Sequence, residues 1–177
     1  METDPNCAVA HGDAIAHGHE QAPPETRTLV AVFASPVAEH LLRYGRDLGY
    51  RTTLVEPERG RVTNEEDAET TVLPNLPTDI DGDTDVVVTD HHRPELGLYL
   101  RDALALSVRW VGIMGNPRHP GPHVAALKDL GVAEDDIARV HRPIGLNIGS
   151  RTPAEIAIAT LAGLIADRNE KPGGFDF

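Results

Sequence analysis

The segment at residues 140–156, VHRPIGLNIGSRTPAEI, carries the residue types of an anion-binding loop. A basic pair, His141 and Arg142, opens it, and Gly145 and Gly149 interrupt it before the closing TPAE. That closing sequence predicts a helix start, because its threonine can cap the helix, its glutamate can reach back to the cap, and its proline loses no hydrogen bond. The free N–H groups of a helix start favour an anion. The alternative is an ordinary loop that leads into a core helix.

A second candidate site lies at residues 28–56, where a strand, a tight turn, a helix and a strand that ends in an acid follow one another. This is the layout of a dinucleotide-binding unit. The roughly 20 residues between Ser35 and Glu56 match the usual separation of phosphate loop and ribose-binding acid. The expected glycines are replaced by ASPVA, whose Cβ atoms and proline ring restrict the approach of a pyrophosphate. Glu56 is therefore either a ribose ligand or simply an acid at the end of a strand.

Polar residues follow the apolar run DVVVT at residues 85–89. They are Asp90, His91, His92 and Arg93, and they stand where the carboxyl ends of strands in open α/β sheets bind ligands. The two histidines are candidates for acid–base groups or metal ligands. The alternative is that they cap the next helix or face solvent.

Residues 1–26 contain Cys7, His11, His17 and His19, all of them potential ligands of a transition metal. Their spacing matches no zinc finger, and the surrounding residues have no apolar periodicity with which to build a rigid cage. We therefore predict a flexible N-terminal tail with incidental histidines and no metal site.

The whole chain has 177 residues and a formal net charge of −12. The length favours one domain, and the charge argues against a nucleic-acid-binding or anionic membrane surface, although it is compatible with a local basic pocket. No stretch is apolar enough to span a bilayer, and the N-terminus lacks a signal-peptide pattern. The single cysteine excludes an intramolecular disulfide and fits a reducing compartment. We predict a cytoplasmic protein with no nucleic-acid or membrane partner.

Apolar runs and helix-start signals alternate along the chain. Buried strands are predicted at residues 28–34, 51–56, 85–89 and 108–114, with a short edge strand at 70–73. Helices are predicted at residues 36–48, 94–106, 119–130 and 152–168, with a further short turn or helix at 133–139. Trp110 is expected to be a core anchor and not a cofactor stack.

This alternation implies parallel crossovers between successive strands. We therefore predict an α/β fold with a Rossmann-like, doubly wound and mainly parallel sheet that carries helices on both faces. The domain is expected to span residues 27–170, and a C-terminal tail is expected at residues 171–177.

Three stretches of the chain resemble the xanthine dehydrogenase accessory factor family (XdhC/CoxI). The sequence RPIGLNIGSRTPAEIAIATLAGLIA, at residues 142–166, resembles the C-terminal signature of that family. VRWVGIMGNPR, at residues 108–118, and DVVVTDHH, at residues 85–92, resemble two further family motifs. Several motifs in the same order and at consistent spacing are more specific than any single one. The correspondence covers residues 27–169.

The resemblance implies a Rossmann-like domain of factors that bind molybdenum cofactor (molybdopterin), support its sulfuration and pass it to a molybdenum hydroxylase of the xanthine dehydrogenase or CO dehydrogenase type. Such a factor acts as a chaperone and is not itself an oxidoreductase. Full-length members carry a further N-terminal domain, so this chain is expected to be a stand-alone C-terminal domain. The implied partners are hydroxylase subunits or a separate protein with the N-terminal domain, and a homodimer is also compatible with this fold.

The chain departs from the family pattern at two loops that favour phosphate. The family sequence FGAGHVA is here FASPVA, at residues 33–38, and the family sequence GSR is here GNP, at residues 115–117. Each change removes a group that suits a phosphate. The predicted ligand-binding residues are Ser35, Val37, Glu56, Asp90, Gly115, Asn116, Gly145, Asn147, Gly149 and Ser150.

Three functions remain open at this point. The first is a maturation factor for a molybdenum hydroxylase, with a basic rim that holds a pterin phosphate or nucleotide. The second is an NAD(P)-dependent oxidoreductase, with Glu56 on the ribose and His91 or Asp90 in proton transfer, which the missing glycines disfavour. The third is a pseudo-Rossmann interaction module without a small-molecule ligand. The basic rim of the first function consists of Arg118, His119, His141, Arg142 and Arg151.

Overall fold

The computed structural model describes residues 27–62, 69–115 and 121–174. The strands in these ranges are β1 (Thr28–Val32), β2 (Arg51–Val55), β3 (Thr71–Leu73), β4 (Thr84–Val88), β5 (Trp110–Ile113) and β6 (Val140–His141). They form one sheet in the order β3-β2-β1-β4-β5-β6, and each neighbouring pair is parallel. Strands are added in one direction from β1 to β3 and in the opposite direction from β4 to β6. The neighbouring pair β1 and β4 is therefore the switch point of a doubly wound sheet.

Helices cover both faces of the sheet. They are α1 (Pro36–Asp47), α2 (Leu96–Ala105), α3 (Pro122–Asp129), α4 (Glu134–Ile137) and α5 (Pro153–Arg168), with a 3₁₀ turn at Arg59–Arg61. One core cluster packs α1 and α5 on the sheet, and a second packs α2, α3 and α4 on it. The predicted doubly wound fold with helices on both faces is therefore confirmed. Within the described ranges, no helix is long and apolar enough to cross a membrane.

Burial on both faces explains the sequences of the central strands. All five residues of β4 (TDVVV) are buried, and so are the last four of β1 (TLVAV). A central parallel strand has no solvent-facing side, so it takes a continuous run of β-branched residues and not an alternating pattern.

The prediction of a loop at residues 140–141 is wrong, because Val140 and His141 form β6 and pair with β5. This strand has only two residues and His141 is exposed, so no apolar run marks it. The His141 ring stacks on Trp110, with ring centroids 4.8 Å apart. Trp110 is itself buried, which confirms the prediction of a core anchor.

An ion-pair network at the amino edge of the sheet fixes the C-terminal end of α5. Asp85, fully buried in β4, pairs with Arg109 and with Arg168. Arg109 also pairs with Asp167 in the last turn of α5. The C-terminal end of the helix is therefore tied to the sheet.

Candidate functional site

The carboxyl edge of the sheet brings together residues that lie far apart in the sequence. Because all the strands are parallel, the loops that follow them meet at this edge and surround the switch point. Ser35 follows β1, Glu56 follows β2, Asp90 follows β4 and Gly115 follows β5. Three predicted site or rim residues lie outside the described ranges, namely Asn116, Arg118 and His119.

Ser35 caps α1 and fastens the first loop to β4. Its Oγ accepts a hydrogen bond from the Ala38 N–H at 3.1 Å and donates one to Thr89 Oγ1 at 3.0 Å. Thr89 Oγ1 in turn donates to the Phe33 carbonyl oxygen at 2.7 Å. Val37, another predicted site residue, packs partly buried against the core under α1. The hydroxyl of Ser35 is therefore engaged by the chain itself.

Glu56 is fully buried, and its carboxylate receives hydrogen bonds from three residues. The Ala34 N–H donates to Oε2 at 2.8 Å, and the Glu58 N–H donates to Oε1 at 2.9 Å. The guanidinium of Arg93 donates to both oxygens, each time at 3.1 Å. We call the pair of Glu56 and Arg93 the latch. Ribose binding by Glu56 stays a prediction, and it would require these hydrogen bonds to open.

The latch holds Glu56 in its ionised form. Burial raises the pKa of this carboxyl, but hydrogen bonds from Arg93, Ala34 and Glu58, together with the charge of Arg93, leave the pKa below the usual glutamate value. A bidentate pair between a guanidinium and a carboxylate is among the stronger hydrogen-bonded contacts in proteins. Since both partners are buried, loss of Arg93 would leave the Glu56 charge without a cationic partner, and loss of Glu56 would leave Arg93 with only the Glu95 carboxylate, at 3.4 Å.

Arg93 is the member of the latch whose role no sequence pattern predicts. Its side chain is only 5% exposed, and the guanidinium carbon lies 4.7 Å from the centre of the Phe33 ring. Phe33 has a φ of +73°, which L residues rarely adopt, and its ring meets Tyr99 edge to face. The sequence signal for this role is weak: an arginine follows a buried strand, but its burial is visible only in the fold.

The turn after β4 contains the predicted site residue Asp90 and both candidate histidines. The His92 N–H donates to Asp90 Oδ1 at 2.9 Å, and the rings of His91 and His92 lie 4.0 Å apart. Burial lowers the pKa of His91, and the charges of His92 and Arg142 lower it further, against the opposing effect of Asp90. In the described part of the chain, no group of three or more His, Cys, Asp or Glu side chains is arranged to hold a metal ion.

Arg142 follows β6 and reaches the loops that follow β5. A Cβ atom on Gly115 would lie 2.6 Å from Arg142 Nε, so the glycine leaves the space that the guanidinium needs. A Cβ atom on Gly121 would lie 3.2 Å from Arg142 Cδ and 2.5 Å from His123 Nδ1. Burial lowers the pKa of His123, and the charge of Arg142 lowers it further. We call His91, His123 and Arg142 the basic half of the carboxyl edge.

Gly145 is required by the packing of its loop on α5. It has a φ of +81°, and a Cβ atom there would lie 2.9 Å from the Ala159 carbonyl carbon and from the Thr160 nitrogen. The neighbouring Leu146 N–H donates to the Ala159 carbonyl oxygen at 3.0 Å. Gly149 also has a positive φ, of +70°, but nothing lies within 4 Å of the position of its Cβ. The two glycines of the predicted anion loop therefore have different surroundings.

The predicted capping box at the start of α5 is confirmed. Thr152 Oγ1 accepts a hydrogen bond from the Glu155 N–H at 3.3 Å. The Glu155 carboxylate accepts from the Arg151 N–H at 2.7 Å and from the Thr152 N–H at 3.0 Å, and these bonds lower its pKa. This carboxylate takes up two of the N–H groups that would otherwise receive an anion. The loop residues Asn147 and Gly149 are exposed, and Ser150 is half-buried.

Fold and edge together define a Rossmann-type domain, and comparison with known proteins identifies its family. The model of the XdhC Rossmann domain matches residues 29–164, and the chain belongs to this family. The uncharacterized protein YqeB of Escherichia coli (strain K12) is 43% identical over 67 residues, which make up 38% of this chain and 12% of that protein.

A solved structure shares the fold. It is a crystal structure described as a xanthine dehydrogenase from Bacillus halodurans, and it matches with a TM-score of 0.66 and 21% sequence identity. The match covers 82% of this chain and 45% of that one. The chain therefore spans less than half the length of each of these two relatives.

Proposed function

We propose that this chain is a cytoplasmic accessory factor of a molybdenum hydroxylase, and that its carboxyl edge handles molybdenum cofactor as cargo. Membership of the XdhC family supports this role, and so does a fold that binds ligands at its switch point. The observation that carries the proposal is the basic half, where Arg142 lies near two histidines in a chain with a net charge of −12. A local basic group in an acidic protein suits a small anionic cargo.

The two sides of the edge differ in how well they fit a pterin phosphate. In the first loop, the Ala34 N–H already donates to Glu56, and Pro36 has no N–H to donate. In the basic half, the guanidinium of Arg142 offers a planar fork of donors that matches a phosphate. We therefore assign the phosphate of the cargo to the side of Arg142 and not to the first loop.

The experiment that tests this proposal is a thermal-shift screen of the full chain with molybdopterin, NAD, NADP, AMP and CTP. A ligand at a hundred times its dissociation constant adds about 2.7 kcal/mol of stability. We expect molybdopterin to raise the unfolding temperature, and we expect NAD and NADP not to, because the latch engages the ribose-binding acid. A shift with NAD or NADP alone would favour the oxidoreductase, and no shift with the pterin would reject cargo handling.

A matched pair of variants connects any binding to the proposed side of the edge. Arg142→Gln removes the guanidinium of the basic half, and we expect it to abolish most of the molybdopterin shift. Arg43→Gln removes a guanidinium from the exposed side of α1, where it contacts His40 and Tyr44, and should leave the shift unchanged. Equal effects of the two variants would show that only net charge matters.

An interaction module without a small-molecule ligand is the second candidate function. Ile148, in the loop before α5, and Ile158, on α5, are 56% and 52% exposed, and exposed aliphatic side chains suit a protein contact. The proposed partners are hydroxylase subunits or a protein that carries the N-terminal domain of the family. Co-purification of candidate subunits with the chain, and its loss in Ile158→Lys, would support this function.

A further inference from the structure

His123 is a buried histidine with an unused ring nitrogen. It lies in the first turn of α3 and is 7% exposed, and among the described residues its Nδ1 has no hydrogen-bond partner. Nearly all buried polar atoms in proteins are paired. An imidazole nitrogen at the start of a helix that no described residue pairs is therefore a candidate ligand-binding group.

The start of α3 is not capped by any side chain. Its N-cap residue is Gly121, which has no side chain, and Pro122 at the first helical position has no N–H. By contrast, Ser35 caps α1 and Thr152 caps α5 through side-chain oxygens. The positive end of the α3 dipole is therefore not offset by a local side-chain oxygen, and α3 starts at the carboxyl edge because it follows β5.

The His123 ring turns back towards this uncapped start. A Cβ atom on Gly121 would lie 2.4 Å from His123 Cε1 and 2.5 Å from Nδ1, so the ring nitrogen faces the N-cap position. Arg142 approaches the same point, since its Cδ would lie 3.2 Å from that Cβ. The start of α3, the His123 ring nitrogen and the Arg142 side chain thus lie together, and the lack of a Cβ atom at Gly115 and Gly121 makes room for the Arg142 guanidinium and the His123 ring.

We propose that the start of α3 is a subsite for a phosphate monoester, which is bound by the backbone N–H and Nδ1 of His123 and by Arg142. These are the donors that phosphate sites at helix starts use. The identity of the phosphate rests on the proposed function, because it would be the phosphate of molybdenum cofactor. The subsite itself requires only a phosphate group.

The charge state of His123 agrees with this assignment. Burial and the charge of Arg142 hold the pKa of His123 below the usual histidine value, so the ring is neutral at pH 7 when no anion is bound. A bound phosphate dianion would oppose both effects and raise this pKa. Phosphate binding is therefore expected to bring a proton to the ring.

The test is an NMR titration of the full chain with inorganic phosphate, in which the His123 ring resonances are assigned through the backbone of α3. We expect a saturable shift of the His123 ring signals, and no such shift with sodium chloride at the same ionic strength. The absence of a saturable shift at His123 would overturn the proposal, and this measurement needs no variant.

Two variants localise the binding. His123→Phe keeps a ring of similar size but removes Nδ1, and we expect it to weaken phosphate binding about tenfold, which equals ~1.4 kcal/mol. His40→Phe, on the opposite face of the sheet, should bind phosphate as the natural chain does. Unchanged affinity in a folded His123→Phe chain would reject the subsite. If phosphate binds at His123 but molybdopterin gives no thermal shift, the proposed function fails while the subsite stands.

Discussion

The two sides of the carboxyl edge differ in whether their polar groups are hydrogen-bonded within the chain. On the side of β1 and β2, the chain satisfies its own loop: the Glu56 carboxylate binds the Ala34 N–H and is locked in place by Arg93. On the side of β5 and β6, Arg142 lies beside His123, whose Nδ1 has no partner among the described residues. The first side is closed by internal hydrogen bonds, whereas on the second side His123 Nδ1 is the group that we propose for a ligand.

This difference indicates that the acid at the ribose position of a Rossmann-type edge can be engaged by the chain's own hydrogen-bond donors. Glu56 occupies the position of a ribose-binding residue, at the end of β2, but its oxygens are spent on Ala34, Glu58 and Arg93. The residues ASPVA in place of the loop glycines and the hydrogen bonds of the latch act in the same direction. Both disfavour phosphate binding at the first loop, and this supports the proposed site on the other side.

The largest expected effect comes from breaking the latch. Glu56→Ala leaves the buried guanidinium of Arg93 with only the half-exposed Glu95 carboxylate, at 3.4 Å, and leaves the Ala34 N–H without its acceptor. Removing one partner of a buried ion pair typically costs about 3–5 kcal/mol, so we expect a loss of this size in the free energy of unfolding. Urea denaturation, followed by circular dichroism, measures it.

The matched control is Glu58→Gln, which removes the neighbouring carboxylate from an exposed pair with Arg61. Exposed pairs contribute about 0–1 kcal/mol, so this variant should unfold almost as the natural chain does. If the two variants lose similar amounts of stability, the first side of the edge is not held closed by the latch.

The second effect separates packing from backbone conformation in the loop before α5. Gly145→Ala adds a Cβ atom 2.9 Å from the backbone of α5 at a φ of +81°, so crowding and an unfavourable conformation act together. We expect a loss of about 2–4 kcal/mol. Gly149→Ala has only the conformational cost, about 1–2 kcal/mol, because nothing lies within 4 Å. Equal losses in thermal unfolding would contradict the packing role of Gly145.

The third effect is a pH dependence of the latch. The pKa of Glu56 is lowered in the folded chain, so its contribution is complete above the pKa of an unfolded glutamate, about 4.3, and is lost as the pH falls towards the folded value. The difference in unfolding free energy between the natural chain and Glu56→Gln should therefore shrink below pH ~4, by at most about 1.4 kcal/mol per pH unit. A difference that stays constant from pH 7 to pH 3 would show that the carboxylate charge is not involved.

The arrangement of strands and helices could be predicted because it rests on local patterns. Runs such as DVVVT mark strands that are buried on both faces, and β4 is buried along its whole length. The helix starts at Ser35 and Thr152 can also be predicted from the sequence, since capping depends on residues within one turn. The two-residue strand β6 cannot be predicted in this way, because its pairing with β5 comes from tertiary structure.

The hydrogen bonds and ion pairs of the carboxyl edge are harder to predict from the sequence, because they join residues that are distant along the chain. The latch joins Glu56 and Arg93 across 37 positions, and no spacing rule relates them. In the same way, His123 lies in a helix that the pattern predicts, but its burial and its proximity to Arg142 follow from the packing of loops. Local patterns predict which residues end the strands, but only the fold decides which of them are already hydrogen-bonded.

The smallest effect tests whether the start of α5 is capped by the chain itself or binds an anion. Thr152→Ala removes the oxygen that accepts the Glu155 N–H, and loss of such a cap costs about 1 kcal/mol, whereas Thr152→Ser should retain most of it. If the start of α5 is closed by its own carboxylate, as the contacts of Glu155 indicate, Thr152→Ala should lower the unfolding temperature without changing phosphate affinity. Weaker phosphate binding in this variant, measured by the same NMR titration, would move the anion site from α3 to the loop before α5.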